Sequence, residues 1–158
     1  FNLEVPLTDI ETPIVKFGNN LIAPTKTING FKAIPSLLLG LANNHSYDQG
    51  YEGLQSTMQV LTQSNIAYSG AGGNVNEAKQ PYIFTKDGIR LGIYMCTENE
   101  FSSASVHRAG ANPFDVLESF DHVESLRTMR LCDCYLPWWE GVLPLSFTNV
   151  ATLLSQVY

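Results

Sequence analysis

In the stretch Ala42-Asn43-Asn44-His45-Ser46-Tyr47-Asp48-Gln49-Gly50, two carboxamides, an imidazole and a carboxylate fall within six positions. Together they offer oxygen and nitrogen ligands, a proton donor and a carboxylate able to orient the imidazole. The apolar run Leu37-Leu38-Leu39-Gly40-Leu41-Ala42 leads into them, and a helix-like segment follows. In an α/β protein the loop leaving the carboxyl end of a strand is where ligands bind. Asp48 has two readings: it accepts the second N–H of His45, or it caps the helix that starts near Tyr51. Asn43 reads as a turn residue tolerating the left-handed conformation.

Other chemistry-bearing residues are more scattered. Glu4 and the pair Glu98 and Glu100 stand near strand ends, where an exposed carboxylate is the ordinary expectation. Gly70-Ala71-Gly72-Gly73 lacks the Lys-Ser/Thr ending of a phosphate-binding P-loop and reads as a tight turn. His107 and His122 have no metal-ligand spacing and read as surface residues. Cys96 sits in the apolar run 91–96, as a buried structural thiol does. Its use as a nucleophile with His45 lacks a visible activating context. Cys132 and Cys134 have no second pair to complete a zinc site.

The elements that position these residues follow from periodicity. Residues 1–4 read as the end of a strand. Residues 5–24 contain three prolines and form a long excursion. Residues 27–34 suit a short helix ended by Pro35, and residues 37–42 a buried strand. Leu54, Met58 and Leu61 mark one face of a helix over residues 51–64. Residues 66–68 form a short strand, completing a βαβ unit with the usual right-handed crossover. Asp87-Gly88 between two β-like runs, 82–85 and 89–96, signals a hairpin. Asn112-Pro113 opens a further helix with Val116, Phe120 and Val123 as its apolar stripe.

Composition bounds the function. At 158 residues, 44% hydrophobic and 15% charged, the chain suits one globular domain or a large part of one. A net charge of −6 argues against nucleic acid as the main partner. No apolar run reaches the roughly 20 residues that span a bilayer. No secretory signal is visible, and the chain begins at Phe1 rather than Met.

Four segments in this order resemble the bacterial capsule-synthesis family named for poly-γ-glutamate production (CapA-like, PGA_cap). They are Asn2-Leu3-Glu4-Val5-Pro6-Leu7-Thr8 with Thr12-Pro13-Ile14 and Lys16; residues 41–50; Gly70-Ala71-Gly72 with Asn74, Glu77-Ala78 and Pro81; and Thr97-Glu98-Asn99-Glu100-Phe101-Ser102. The resemblance covers about residues 1–130. It implies an α/β fold, a partial calcineurin-like metallophosphatase α/β/β/α sandwich without its first strand and C-terminal portion. It also implies a site of two divalent metal ions, with manganese, iron and zinc all compatible with mixed oxygen and nitrogen ligands. By that likeness Glu4 matches the acidic residue bridging the metals and Asn44 the carboxamide metal ligand. His45 then stabilises or protonates the leaving oxygen, oriented by Asp48.

The family pattern is incomplete here. Its Gly-Asp pair belongs to a strand upstream of Phe1, and its His-Gly-Gly-x-Glu and Gly-His-x-His segments are absent. Pro137-Trp138-Trp139-Glu140-Gly141-Val142 stands where the first of these is expected. Read one base later, the two tryptophan codons force Gly-Gly and the next residue becomes Lys or Arg. Permitted codon choices supply the flanking His and Glu. These codons imply a frameshift near Cys134, dividing the chain into a family domain, residues 1–133, and an out-of-frame tail, residues 134–158. The alternative is a divergent strand and helix, the helix over residues 150–158. Trp138 and Trp139 are expected to pack poorly.

The function implied is that of a fragment of a metal-dependent phosphoesterase-like protein in capsule or cell-envelope polymer metabolism. Its substrate would be a small molecule or polymer, a phosphoester or a polyglutamate-related compound. Weak or no activity is expected of this chain alone. The other class of function is a non-catalytic fragment that binds a ligand or partner through the Asn44-His45 loop.

Overall fold

The computed structural model describes residues 1–35, 38–98, 100–126, 131–138 and 141–146. Expectations for the helix at 150–158 and for Trp139 lie outside these residues, as do the side chains of Cys132, Cys134 and Trp138.

The fold is α/β. A short 3-10 turn, Thr25–Thr27, runs into α1, Ile28–Phe31. Strand β1, Leu38–Gly40, leads through the Asn-His loop to helix α2, Gly50–Gln63, and on to β2, Ala67–Ser69. β1 and β2 pair in parallel, Leu38 opposite Ala67 and Gly40 opposite Ser69, as a crossover helix requires. The first residues add a further parallel neighbour: Leu3 N–H donates to Gly40 O at 2.9 Å, and Gly40 N–H donates to Phe1 O at 2.7 Å. Leu54 and Leu61 of α2 are buried in the same core cluster as Leu3, Leu7, Leu39 and Leu41, with Met58 packed against it.

The glycine-rich segment is more than a turn. β3, Ala71–Gly72, pairs antiparallel with β6, Gly110–Ala111. Helix α3, Val75–Ala78, follows β3, capped by Asn74 Oδ1, which accepts from Glu77 N–H at 3.1 Å. Gly70 has φ +91°, and a Cβ there would lie 2.7 Å from the Ala42 Cβ. Glycine therefore lets β2 end against the residue that opens the Asn-His loop.

The expected hairpin forms. β4, Tyr82–Lys86, pairs antiparallel with β5, Ile89–Met95. The connecting Asp87 and Gly88 have φ of 51° and 75°, as a two-residue hairpin turn demands. β5 continues in parallel to β7, Leu131–Trp138, which pairs antiparallel with β8, Gly141–Ser146.

Helix α4, Val116–Leu126, starts later than Asn112-Pro113 suggests. Asp115 is its cap: Oδ1 accepts from Leu117 N–H at 3.0 Å and Glu118 N–H at 2.9 Å. Pro113 stands before this cap, and Asn112 is buried, donating to Met95 O at 2.8 Å. The helix buries Ser119, Val123 and Leu126, whereas Val116 is 45% exposed. His122 is not a simple surface residue either. Its ring stacks on Tyr94 with centroids 5.2 Å apart. Among the described residues no helix is long and apolar enough to cross a membrane.

Candidate functional site

The carboxyl ends of β1, β2 and β5 converge on the loop 41–49. Its shape is set by Asn43, which is 2% exposed. Asn43 Nδ2 donates to Leu3 O at 2.9 Å and to Asn2 Oδ1 at 3.0 Å, tying the loop to the first residues. Its Oδ1 accepts from His45 N–H at 3.1 Å and Ser46 Oγ at 3.0 Å, an Asx-type turn. Asn43 is thus a turn residue, but not through the left-handed backbone: among the described residues the non-glycine positions with positive φ are Asn65 and Asp87. From the β5 side, Ser102 Oγ donates to Asn43 O at 2.8 Å. Ser46 Oγ in turn donates to Leu41 O.

Asp48 is fully buried and does not cap α2. The residue at the cap position is Gln49, with no side-chain capping bond. Asp48 instead collects three donors. Oδ2 lies 2.7 Å from His45 Nδ1 and accepts from Leu21 N–H at 2.6 Å, and Oδ1 pairs with Lys16 Nζ. Nδ1 of the ring is thereby committed to the Asp48 carboxylate. That leaves Nε2 as the ring nitrogen available for chemistry, on a side chain 22% exposed.

Lys16 is the residue that motif reading left without a role. Its side chain is 3% exposed, and Nζ also lies 3.3 Å from His45 Nδ1. The excursion that carries it has almost no ladder, yet it is tied down residue by residue. Thr12 N–H donates to Gln49 Oε1 at 2.9 Å, Thr12 Oγ1 to Gln49 O at 2.7 Å and Ile14 N–H to Asp48 O at 3.0 Å. Gln49 Nε2 closes the far side on Leu21 O at 3.0 Å. Thr57 and Ser56 of α2 satisfy Leu7 N–H and O, each at 2.8 Å. Thr12, Ile14 and Lys16 turn inward, whereas Pro13, Val15 and Phe17 face solvent. Because the apolar Val15 and Phe17 are the outward members, hydropathy alternation would have turned Lys16 outward, and no local signal singles it out.

The two expected metal ligands contrast with this saturated network. Asn44 is half-buried, and its carboxamide makes no hydrogen bond among the described residues. Glu4 is exposed, with Oε1 accepting from Asn2 Nδ2 at 2.8 Å. Asn2 bonds in turn to Asn43, so Glu4 and Asn44 flank one short hydrogen-bonded chain. Both are hard oxygen donors suited to a divalent ion. Among the described residues, however, no group of three or more His, Cys, Asp or Glu side chains could hold a metal. Glu4 and Asn44 supply oxygen donors, and among the described residues no further group completes a metal site with them. Glu98, Glu100 and His107 are exposed, and Cys96 is buried.

The family model described as "Bacterial capsule synthesis protein PGA_cap" matches residues 1–129. Two Sinorhizobium fredii (strain NBRC 101917 / NGR234) proteins, y4sH and y4uA, are each 27% identical to the chain over 146 residues. Those alignments cover 82% of the chain and 32% of each relative. The capsule biosynthesis protein CapA of Bacillus anthracis is 31% identical over 72 residues, 46% of the chain and 18% of CapA. The chain thus spans about a third or less of the length of these curated relatives. With 129 residues matched in order, this chain belongs to the bacterial capsule synthesis protein family, whose fold is calcineurin-like.

Proposed function

We propose that residues 1–126 supply the Asn-His corner of a metal-dependent phosphoesterase-type site in a protein of capsule or cell-envelope polymer metabolism. The observation that carries this reading is the division of labour in the loop. Asn43 and Asp48 spend all their polar atoms on architecture, while Asn44 Oδ1 and His45 Nε2 remain uncommitted. Asn44, with Glu4 beside it, would hold a divalent ion. When bound, that ion supplies polarisation of a phosphoryl oxygen and an activated water.

The chain's own residues do the rest. His45 Nε2 would stabilise or protonate the ester oxygen that leaves. Its ring is held by Asp48, so little ordering is needed when substrate arrives. The substrate class is a phosphoester, with a polyglutamate-related polymer as the alternative. Among the described residues no third ligand group joins Glu4 and Asn44, and the second reading is that this stretch binds a ligand or partner without catalysis.

Metal content and hydrolysis of a p-nitrophenyl phosphodiester, measured on this chain and on a full-length relative, separate the two. In the relative, replacing the asparagine equivalent to Asn44 by Ala should lower both metal content and hydrolysis. Replacing the histidine equivalent to His45 should abolish hydrolysis and leave the metal bound. This chain should show weak activity or none. A relative that binds no divalent metal and hydrolyses no phosphoester would leave the non-catalytic reading.

A further inference from the structure

We propose that Arg108, stacked on Tyr47 of the Asn-His loop, binds an anionic group of the substrate, a phosphate or a carboxylate, beside the bond that breaks; the inference rests on the reading above and gives its substrate a second anchor. Tyr47 stands two residues after His45. The Arg108 guanidinium carbon lies 4.8 Å from the centroid of the Tyr47 ring. Its Nη2 donates to Phe101 O, and the next residue, Ser102, donates its Oγ to Asn43 O at 2.8 Å. Two separate contacts therefore hold the cation against the loop that carries Asn44 and His45.

Its backbone is fixed as well. Ser105 and Arg108 face each other across a tight turn, with Ser105 N–H donating to Arg108 O at 3.0 Å. Val75 N–H donates to Ser105 O at 2.9 Å, which ties that turn to α3. At its base, Gly110 runs so close to Ser102 that a Cβ would stand 2.2 Å from Ser102 O, an approach that glycine permits.

The guanidinium so held has no counter-ion. Arg108 is exposed, and among the described residues the ion pairs are Lys16–Asp48, His45–Asp48 and Lys79–Glu118. Of the five N–H donors of a guanidinium, one is used on Phe101 O. Stacking covers a face of the plane and leaves its edge, where the N–H groups point, open to paired oxygens. Because the group is oriented beforehand, less freedom is lost when an anion arrives. On a chain of net charge −6 an anionic substrate meets general repulsion, which a local cation offsets. Lys16, inside the loop network, is already spent on Asp48.

The test is side-chain NMR of Arg108 in the labelled chain, titrated with inorganic phosphate and with triglutamate at constant ionic strength, so that screening is held fixed. The Arg108 Nε–H signal should shift saturably with at least one of them, and the tighter of the two names the group. Arg108→Gln, which keeps an amide donor and loses the charge, should weaken binding about tenfold or more, read from the Tyr47 amide in a chain that keeps its dispersed spectrum. Arg108→Lys should fall between the two, because an ammonium keeps the charge without the fork. An Arg108 signal unmoved by both anions, or unchanged affinity in a folded Arg108→Gln chain, would overturn the proposal. If Arg108→Gln does not fold, the wild-type Arg108 signal decides. Hydrolysis by a full-length relative alongside an Arg108 that binds neither anion would leave the proposed function and remove this inference. Saturable binding at Arg108 alongside a relative that hydrolyses no phosphoester would keep the anion site and remove the proposed function.

Discussion

At the carboxyl ends of β1 and β2, the buried Asn43, Ser46 and Asp48 are hydrogen-bonded to backbone and to one another's neighbours. At the amino ends of the same strands lies a cavity of about 510 Å³, lined by apolar groups such as Phe31, Ile34, Ile66, Phe84 and Ile93. One end is filled by specific polar bonds; the other is open, its lining mostly apolar with Lys32, Ser64 and Asn65 at the wall. Removing a partner at the polar end strands a desolvated charge or donor, which costs far more than a missed contact. An open apolar cavity instead leaves room to add side chain. Substitutions should therefore hurt at the site end in proportion to their hydrogen bonds and be tolerated at the other.

The largest effect should come from Asp48→Ala. It leaves Lys16 buried without a counter-charge and strands Leu21 N–H, so a loss of about 3–5 kcal/mol is expected in chemical denaturation. A loss within the range of an ordinary surface change would break the comparison. Next come the two neighbouring asparagines. Asn43→Ala removes both bonds to the first residues and the Asx turn, and should cost about 1–3 kcal/mol. Asn44→Ala should stay within about 0.5 kcal/mol of wild type, because its carboxamide supports nothing. Equal losses in the same denaturation series would erase the proposed split between architecture and ligand.

At the opposite end, Ala67→Val adds two methyl groups on the cavity wall within a strand. It should raise stability by about 0.5–1 kcal/mol, read as a higher thermal midpoint. A drop would mean that this end is packed more tightly than its cavity suggests.

The smallest effect concerns Asp9, on the excursion but away from both ends. The Thr25 hydroxyl and N–H hold its carboxyl below the ordinary aspartate value of 3.8. A lowered folded-state value gives stability that is present above about pH 4 and is lost as pH falls through the folded value. Asp9→Asn should therefore be slightly less stable than wild type near neutral pH, and the two should converge in acid. A gap that widens on acidification has the wrong sign for this account.

How much of this was legible in the sequence depends on the range of the interaction. The β1–α2–β2 unit follows from a continuous apolar run and the Leu54, Met58, Leu61 stripe. The β4–β5 hairpin follows from Asp87-Gly88, because these signals are local. The His45–Asp48 contact spans three residues, within reach of a local reading that leaves it beside helix capping as one of two options. Asn43 was read as a local turn, yet its amide bonds Leu3 O, 40 positions away. Lys16 meets Asp48 across 32 positions from a proline-bearing segment without helix or ladder. No local rule reports such pairs. α4 starts at Val116 rather than at Asn112-Pro113 because the Asp115 side chain, which holds two amide protons, sets the cap.

On the proposed function, Asn44 and His45 form the metal-facing corner while Asn43 and Asp48 build it. Manganese titration followed by paramagnetic broadening of amide signals tests this on the chain itself, since broadening reports even weak occupancy. The claim predicts that Glu4, Asn44 and His45 broaden first, and that Asn44→Ala removes the effect while the fold persists. Broadening that begins elsewhere on this acidic chain, or that survives Asn44→Ala unchanged, would contradict it.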